Sequence, residues 1–187
     1  SRQYGTEVLL AVDGNYAGCL VIADTIKKDA KESVGEMKSR GIVTAMLTGD
    51  SKASAEAVAA QTGIDEVHAR LLPEEKLARL QEIRKKHGAV MFVGDGINDA
   101  PVLAGADVGA AMGSGADAAI EAADVVFMNS SVKAIGESIR IARVTGNIAV
   151  QNVVFALAVK ALVMILGFMG FANMWMAVFA DTGVAML

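Results

Sequence analysis

Residues 89–101 read AVMFVGDGINDAP. Five apolar residues run into a loop that holds two aspartates, Asp95 and Asp99, with glycine on either side of the first and an asparagine before the second. A short apolar run ended by turn residues is a buried strand, so the polar residues gather at its carboxyl end. Gly94 and Gly96 let the backbone turn sharply and leave amide N–H groups open to an anion. Asp95 is a hard oxygen ligand of the kind that holds Mg²⁺ together with a substrate phosphate. Asn98 can donate to a phosphate oxygen, and Asp99 can cap a helix starting near Pro101. A tight turn with an N-cap accounts for Asp99 taken alone; it does not account for the whole string.

On both sides of this strand, helical and strand patterns alternate. Residues 6–12 and 16–23 read as two strands around a turn at Asp13–Gly14–Asn15. Residues 27–41 form a polar amphipathic helix closed by Gly41, 42–47 a buried strand, and 51–63 an alanine-rich helix ending at Gly63. Pro73 opens a helix over 73–88, with acids in its first turn, bases in its last and Gly88 as its stop. Strands follow at 89–93, 108–112 and 125–128, with short helices near 99–105 and 115–122. Strands that are apolar throughout and separated by helices specify a doubly wound parallel sheet covered on both faces. Ligands bind such sheets beyond the carboxyl ends of the strands. Asp24, Thr48–Gly49–Asp50 and the Asp95–Asp99 loop all fall there.

Thr48 beside Gly49 can hold a phosphoryl oxygen, and the helix that follows points its positive end at the same place. An ordinary strand–helix turn would look the same. Lys76 lies in the first turn of its helix, where a cation is unfavourable; a solvated surface lysine is the plainer account of it in isolation. The glycines of GAAMGSG (109–115) miss the dinucleotide-binding spacing, and the methionines near the C-terminus suit packing better than metal ligation.

Composition bounds the rest. The net charge is −4 and no run of Lys or Arg stands clear of acids, so nothing here asks for a nucleic-acid partner. The single cysteine, Cys19, has no disulfide partner, and His68 and His87 do not complete a metal site with it. No signal-peptide pattern opens the sequence, and a cytosolic, reducing setting suits the polar part. Hydrophobic residues make up 53% of the chain, and from Val144 to Leu187 only Lys160 and Asp181 carry charge. Residues 153–172 hold one charge in twenty positions and would span roughly 30 Å, one bilayer core. Residues 174–187 are a second apolar segment, too short to cross. A turn near Gly170–Asn173 would make the two a hairpin, with Lys160 and Asp181 at similar depth. Arg140 and Arg143 before the first span put the polar part on the cytosolic side.

The strings MLTGD (46–50), LLPEEK (71–76) and VGDGINDAPVLAGADVGAAMG (93–113) resemble the phosphorylation domain of P-type ATPases, which shares the core of the haloacid-dehalogenase phosphotransferases. The resemblance implies a haloacid-dehalogenase-like fold followed by a C-terminal transmembrane hairpin. It makes residues 1–22 the tail of a nucleotide-binding domain and its return hinge, 23–143 the phosphorylation domain, and 144–187 the last two transmembrane helices. By position, Asp95 and Asp99 resemble the Mg²⁺-binding pair of the loop, and Thr48, Lys76 and Asn98 the groups that hold the transferred phosphoryl. Gly49, Asp50, Gly94 and Gly96 would line the bound phosphate, with Asp24 bordering the site. The family's nucleophile lies in an Asp-Lys-Thr-Gly-Thr motif that does not occur in this chain; it is expected upstream of Ser1. Lys160 together with Ala180–Gly183 (ADTG) resembles the zinc/cadmium/lead branch, with Asp181 at the transported metal and Lys160 as counter-ion.

These features imply ATP-driven export of a divalent heavy metal, with Mg²⁺ and ATP as cofactors. The remaining transmembrane, actuator and nucleotide-binding parts of the same protein are the expected partners. The setting is an integral membrane protein, at the cell membrane, with its soluble part cytosolic. Two rivals stand beside this: a membrane-anchored phosphatase of the same superfamily, and a non-catalytic Mg²⁺/phosphate-binding regulatory domain with a membrane hairpin. The joint presence of Thr48, Lys76 and Asp95 argues against a decayed site.

Overall fold

The computed structural model describes residues 6–22, 25–171 and 173–183, so Asp24 lies outside the described residues. The chain divides into two compact units, Ser1–Gly136 and Glu137–Leu187.

The first unit opens with the expected hairpin, β1 (Thr6–Val12) and β2 (Asn15–Ile22), paired antiparallel. Asp13 (φ 51°) and Gly14 (φ 78°) form its two-residue turn, and both left-handed positions are what such a turn demands. The elements that follow are α1 (Ala30–Ser39), β3 (Ala45–Leu47), α2 (Lys52–Thr62), β4 (Glu66–His68), α3 (Pro73–His87) and β5 (Met91–Gly94). After a 3-10 turn at Ile97–Asp99 come α4 (Ala100–Gly105), β6 (Val108–Met112), α5 (Asp117–Ala122) and β7 (Val125–Phe127). The helix signals are physical. Ser51 caps α2 by accepting the Ser54 N–H at 3.3 Å, and Gly63 (φ 84°) ends it. Glu75 reaches back to the Leu72 N–H at 2.8 Å to close the start of α3.

Among the described residues the pairings after the hairpin are parallel. They fall into two hydrogen-bonded pieces, β3–β4 and β5–β6–β7. Three expectations need correction. β4 is an extra strand: three half-buried residues, Glu66–His68, are too few and too mixed to show alternation. The strand expected over 42–47 pairs only from Ala45, and the helix expected from residue 27 begins at Ala30. A side-chain device repeats at the starts of these strands. The carboxylates of Asp65, Asp107 and Asp124 accept the backbone N–H of Thr44 (3.0 Å), Val90 (2.9 Å) and Gly109 (2.8 Å). Each aspartate returns its own N–H to the carbonyl of that same residue.

The core is built from small side chains, because helices lie close on the sheet. Ala111 and Ala119 are fully buried beside Leu103, with Phe92 and Ile120 packed around them, and Ala110 is fully buried as well. At Gly109 a Cβ would stand 2.5 Å from the Leu103 carbonyl oxygen, and at Gly115 2.7 Å from that of Asp95. Close packing therefore explains these glycines of the 109–115 run without any dinucleotide.

Asp65 gives the first testable consequence. Lys38 Nζ lies 2.7 Å from its Oδ1, and with the Thr44 N–H it holds the carboxyl down at about 2. A depressed folded pKa contributes stability above the unfolded value and loses it as pH falls through about 2. The pair is partly solvated, so screening leaves about 1 kcal/mol of the nominal linkage. Asp65→Asn is expected to lower stability by that amount at pH 7, and the difference shrinks as pH falls towards about 2 and vanishes below it. Unfolding curves of parent and variant across this range check it; a difference that does not shrink with acid would remove the ion pair as its cause.

The second unit contains most of α6 (Lys133–Phe168), 36 residues without proline, and the start of that helix belongs to the first unit. Among the described residues α6 is the helix long and apolar enough to cross a membrane. It begins twenty residues before the expected 153 and ends four before 172. At ~1.5 Å per residue it is about 54 Å long, well beyond one bilayer core. Gly170 (φ 78°) turns the chain, Asn173 caps α7 (Met174–Val178) through the Met176 N–H at 3.0 Å, and a single π-helical turn covers Phe179–Gly183.

Candidate functional site

The loop after β5 and the start of α3 meet through a largely buried ion pair. Lys76 Nζ lies 2.8 Å from Asp99 Oδ1, with side chains 16% and 13% exposed. Asp99 Oδ2 accepts the Gly96 N–H at 3.3 Å. Its side chain therefore closes the 3-10 turn and does not cap α4, a correction to the expected N-cap. The cause is competition: an ammonium within reach is a stronger partner than the amide N–H groups behind it. A Cβ on Gly94 would come 2.8 Å from Asp99 Cβ, so glycine there is what admits Asp99 into the loop. Lys76 is thus no free surface lysine. A cation near the positive end of α3 is offset by the carboxylate beside it.

Asp95 is different. It is exposed, and its carboxylate has no hydrogen bond or ion pair among the described residues. Its backbone carbonyl accepts the Ala116 N–H at 2.8 Å, which fixes the loop to the start of α5 and leaves the side chain free. Asn98 is exposed on the same turn. A free carboxylate on a tight loop fits Mg²⁺, which takes one or two carboxylates and completes its shell with water and phosphate oxygens. Asp99, the second expected ligand, is held by Lys76 and Gly96 in this arrangement. No group of three or more His, Cys, Asp or Glu arranged to hold a metal occurs among the described residues.

The third part is the loop after β3. Thr48 Oγ1 donates to Asp50 Oδ2 at 2.9 Å and accepts the Asp50 N–H at 3.1 Å, while Gly49 between them is exposed. This loop is tied to the approach to α3: Arg70 N–H donates to Asp50 O (2.9 Å) and Leu71 N–H to Thr48 O (3.0 Å). Arg70 takes a left-handed φ of 59° to do so. Sequence reasoning passed over Arg70, since a strained arginine has no pattern of its own. The result is one connected path from Thr48–Asp50 through Arg70–Leu71 and α3 to Lys76, Asp99 and Gly96. The expected groups of the strand tips, Asp24 excepted, are therefore joined or carried on adjoining loops. The two histidines gather elsewhere, around Glu66: His87 Nε2 is 2.9 Å from it and His68 Nε2 3.5 Å. Lys86 and His87 hold the Glu66 carboxyl down at about 2.

In the second unit, Lys160 Nζ lies 2.7 Å from Asp181 Oδ1. The two charges of the apolar segment thus form a pair, one on α6 and one on the π-helical turn. A π turn is a rare, local widening that recurs at functional positions.

Residues 2–107 match the haloacid dehalogenase-like hydrolase family. The chain is 55% identical over 98% of its length to a cadmium, zinc and cobalt-transporting ATPase of Bacillus subtilis (strain 168), and covers 27% of that protein. It is 53% identical, again over 98%, to a zinc-transporting ATPase of Synechocystis sp., covering 26% of it. The chain thus spans about a quarter of the length of the curated relatives it matches. A crystal structure of a zinc-transporting PIB-type ATPase in the E2.Pi state superposes with a TM-score of 0.87 at 35% identity, over 97% of this chain and 30% of that one.

Proposed function

This chain belongs to the haloacid dehalogenase-like hydrolase family, and from that premise we propose that it is part of a P-type ATPase that exports a divalent heavy metal, zinc, cadmium or lead. It comprises the phosphorylation domain and a following membrane segment, with the soluble part cytosolic and the cell membrane as its site. Residues 1–22 are the tail of a nucleotide-binding domain. The hairpin supports this, because Leu9 (71% exposed), Val12 (60%) and Leu20 (56%) need a cover. The observation that carries the proposal is the strand-tip arrangement, a free Asp95 beside the buried Lys76–Asp99 pair.

The residues divide the work of phosphoryl transfer, which is mostly positioning and charge neutralisation. Asp95 holds Mg²⁺, with Asp99 as its partner in the loop. Mg²⁺ held by these carboxylates would supply positive charge to the phosphate oxygens of ATP. Lys76 spends one of its three N–H donors on Asp99 and keeps the others for the transferred phosphoryl. Thr48 and Asn98 donate to the same group, and Gly49, Asp50, Gly94 and Gly96 shape the backbone around it. The acceptor is an aspartate outside this chain, which contains no Asp-Lys-Thr-Gly-Thr string. Phosphorylation and hydrolysis of that aspartate switch the metal site, to which Asp181 contributes, between membrane faces.

The test is metal-dependent phosphorylation of the complete protein by ATP. An acid-stable phosphoprotein that forms with zinc, cadmium or lead and decays on hydroxylamine treatment is the expected result. Metal-independent phosphatase turnover with no such species would overturn it. The 187-residue chain by itself is expected to form no acyl-phosphate and to hydrolyse no ATP, since positioning groups without an attacking carboxylate do not turn over. A stable phosphorylated form of the isolated chain would place the nucleophile within it, at Asp24 first of all.

A further inference from the structure

Helix α1 is bonded at both of its ends to the beginning of α6. Asp29 starts α1 with its backbone carbonyl, which accepts the Ser33 N–H at 3.0 Å. Its carboxylate turns to α6, where Oδ2 accepts the Ser131 hydroxyl at 2.6 Å and the Lys133 backbone N–H at 3.1 Å. Lys133 opens α6, so its N–H has no partner within that helix, and an acid there also meets the positive helix end. Two residues before Asp29, Lys27 Nζ donates to the Ser130 carbonyl at 2.5 Å. Past the other end of α1, Arg40 Nη1 donates to the Gly136 carbonyl at 3.1 Å while its Nη2 pairs with Glu36. Ile135 and Gly136 are buried, as are Val34 and Met37 of α1. These four bonds join residues 96 to 104 positions apart. None of them touches Thr48, Lys76, Asp95 or Asp99.

Resting on the transport reading above, we propose that α1 is a clamp on the root of α6, with Asp29 and Arg40 as positioning residues that couple phosphorylation to metal movement. One anchor would leave α6 free to swivel. Two anchors, at opposite ends of α1, fix both the position and the rotation of its first turn. α6 runs unbroken from Lys133 to Phe168 with no proline in it, so the turn gripped at the root belongs to the same helix that carries Lys160. The segment gripped from the other side, Lys27–Asp29, leads back towards the hairpin, where a nucleotide-driven rearrangement would arrive.

The experiment uses the complete protein in liposomes and measures two quantities in each variant: ATP-dependent phosphoprotein and zinc moved per ATP hydrolysed. Asp29→Ala and Arg40→Ala are expected to keep phosphoprotein at the parent level while zinc moved per ATP falls about fivefold. Asp29→Asn, which keeps an acceptor for the Lys133 N–H, should recover part of the ratio. If the alanine variants do not accumulate, Ser131→Ala removes the 2.6 Å bond alone and reads the same ratio. An unchanged ratio in these variants, or phosphorylation and transport lost in equal proportion, overturns the clamp. Failure of the parent itself to form metal-dependent phosphoprotein overturns the transport reading instead.

Discussion

Asp95→Asn in the complete protein is expected to cut Mg²⁺-dependent phosphoryl transfer by about a thousandfold, ~4 kcal/mol of transition-state stabilisation. On the proposed role of Asp95 as Mg²⁺ ligand, the substitution removes one charge and leaves a neutral oxygen with little hold on the metal. The fold should not respond. Asp95 is exposed, its carboxylate supports no structural bond, and its contact with Ala116 is made by the backbone, which Asn retains. Thermal unfolding should therefore match the parent within ~0.5 kcal/mol, as for a surface substitution away from any structural bond. The measurement pairs phosphoprotein formation across a Mg²⁺ titration with the unfolding curve. Near-parental turnover at ordinary Mg²⁺ would reduce Asp95 to a turn residue, and the carrying observation would then fall to Lys76 and Asp99 alone.

The second large effect concerns the pair at 2.7 Å in the apolar segment, Lys160 and Asp181. A lone charge within a span costs about 2.5–3.5 kcal/mol on insertion scales, so two that meet are a provision and not an accident. With Asp181 as the proposed ligand of the transported metal, Asp181→Ala is expected to lower zinc or cadmium binding and metal-stimulated ATP hydrolysis by about a hundredfold, because the variant removes a charged ligand. Lys160→Ala should act differently. Phosphorylation persists, while metal release slows and the metal-free protein becomes less stable, as the resident cation no longer competes with the metal for Asp181. Metal stoichiometry and stimulated turnover of both variants in the complete protein decide this. Should Asp181→Ala bind and transport like the parent, the pair is a structural bridge only.

Much of the fold was legible because its signals are local and chemical. Asp13–Gly14 announces a hairpin, Ser51 and Gly63 bracket α2, Pro73 and Gly88 bracket α3, and an unbroken apolar run marks β6 over Val108–Met112. What escaped is non-local. β4 is held by pairing with β3 and by Lys86 and His87 on Glu66, none of which shows in three residues of sequence. Its one trace is Asp65, which stands ahead of β4 as Asp107 and Asp124 stand ahead of β6 and β7. The early start of α6 was hidden because Lys133–Arg143 is polar, and a search for a membrane span reads only the apolar part. At the site, residue types and loops were readable, but their pairings were not. That Thr48 is engaged with Asp50, and that Asp99 serves Lys76 and Gly96 where a helix cap was expected, depends on which side chains the tertiary fold brings within 3 Å or so.

The aspartates at the strand starts have a consequence for the architecture. Asp65 joins β4 to the approach of β3, Asp107 joins β6 to the approach of β5, and Asp124 joins β7 to β6. Each strand–helix–strand crossover is therefore fastened within itself, by a two-way bond between the residue that opens its second strand and the neighbour it runs beside. Among the described residues no fastening of this kind spans the junction between β4 and β5, where the two sheet pieces part. The sheet is modular in the literal sense: its pieces keep their register one by one, without relying on a continuous ladder. Because lengthening a loop costs little once its ends are held, a chain fastened this way can admit a strand or a whole inserted domain at a junction while every module on either side stays closed.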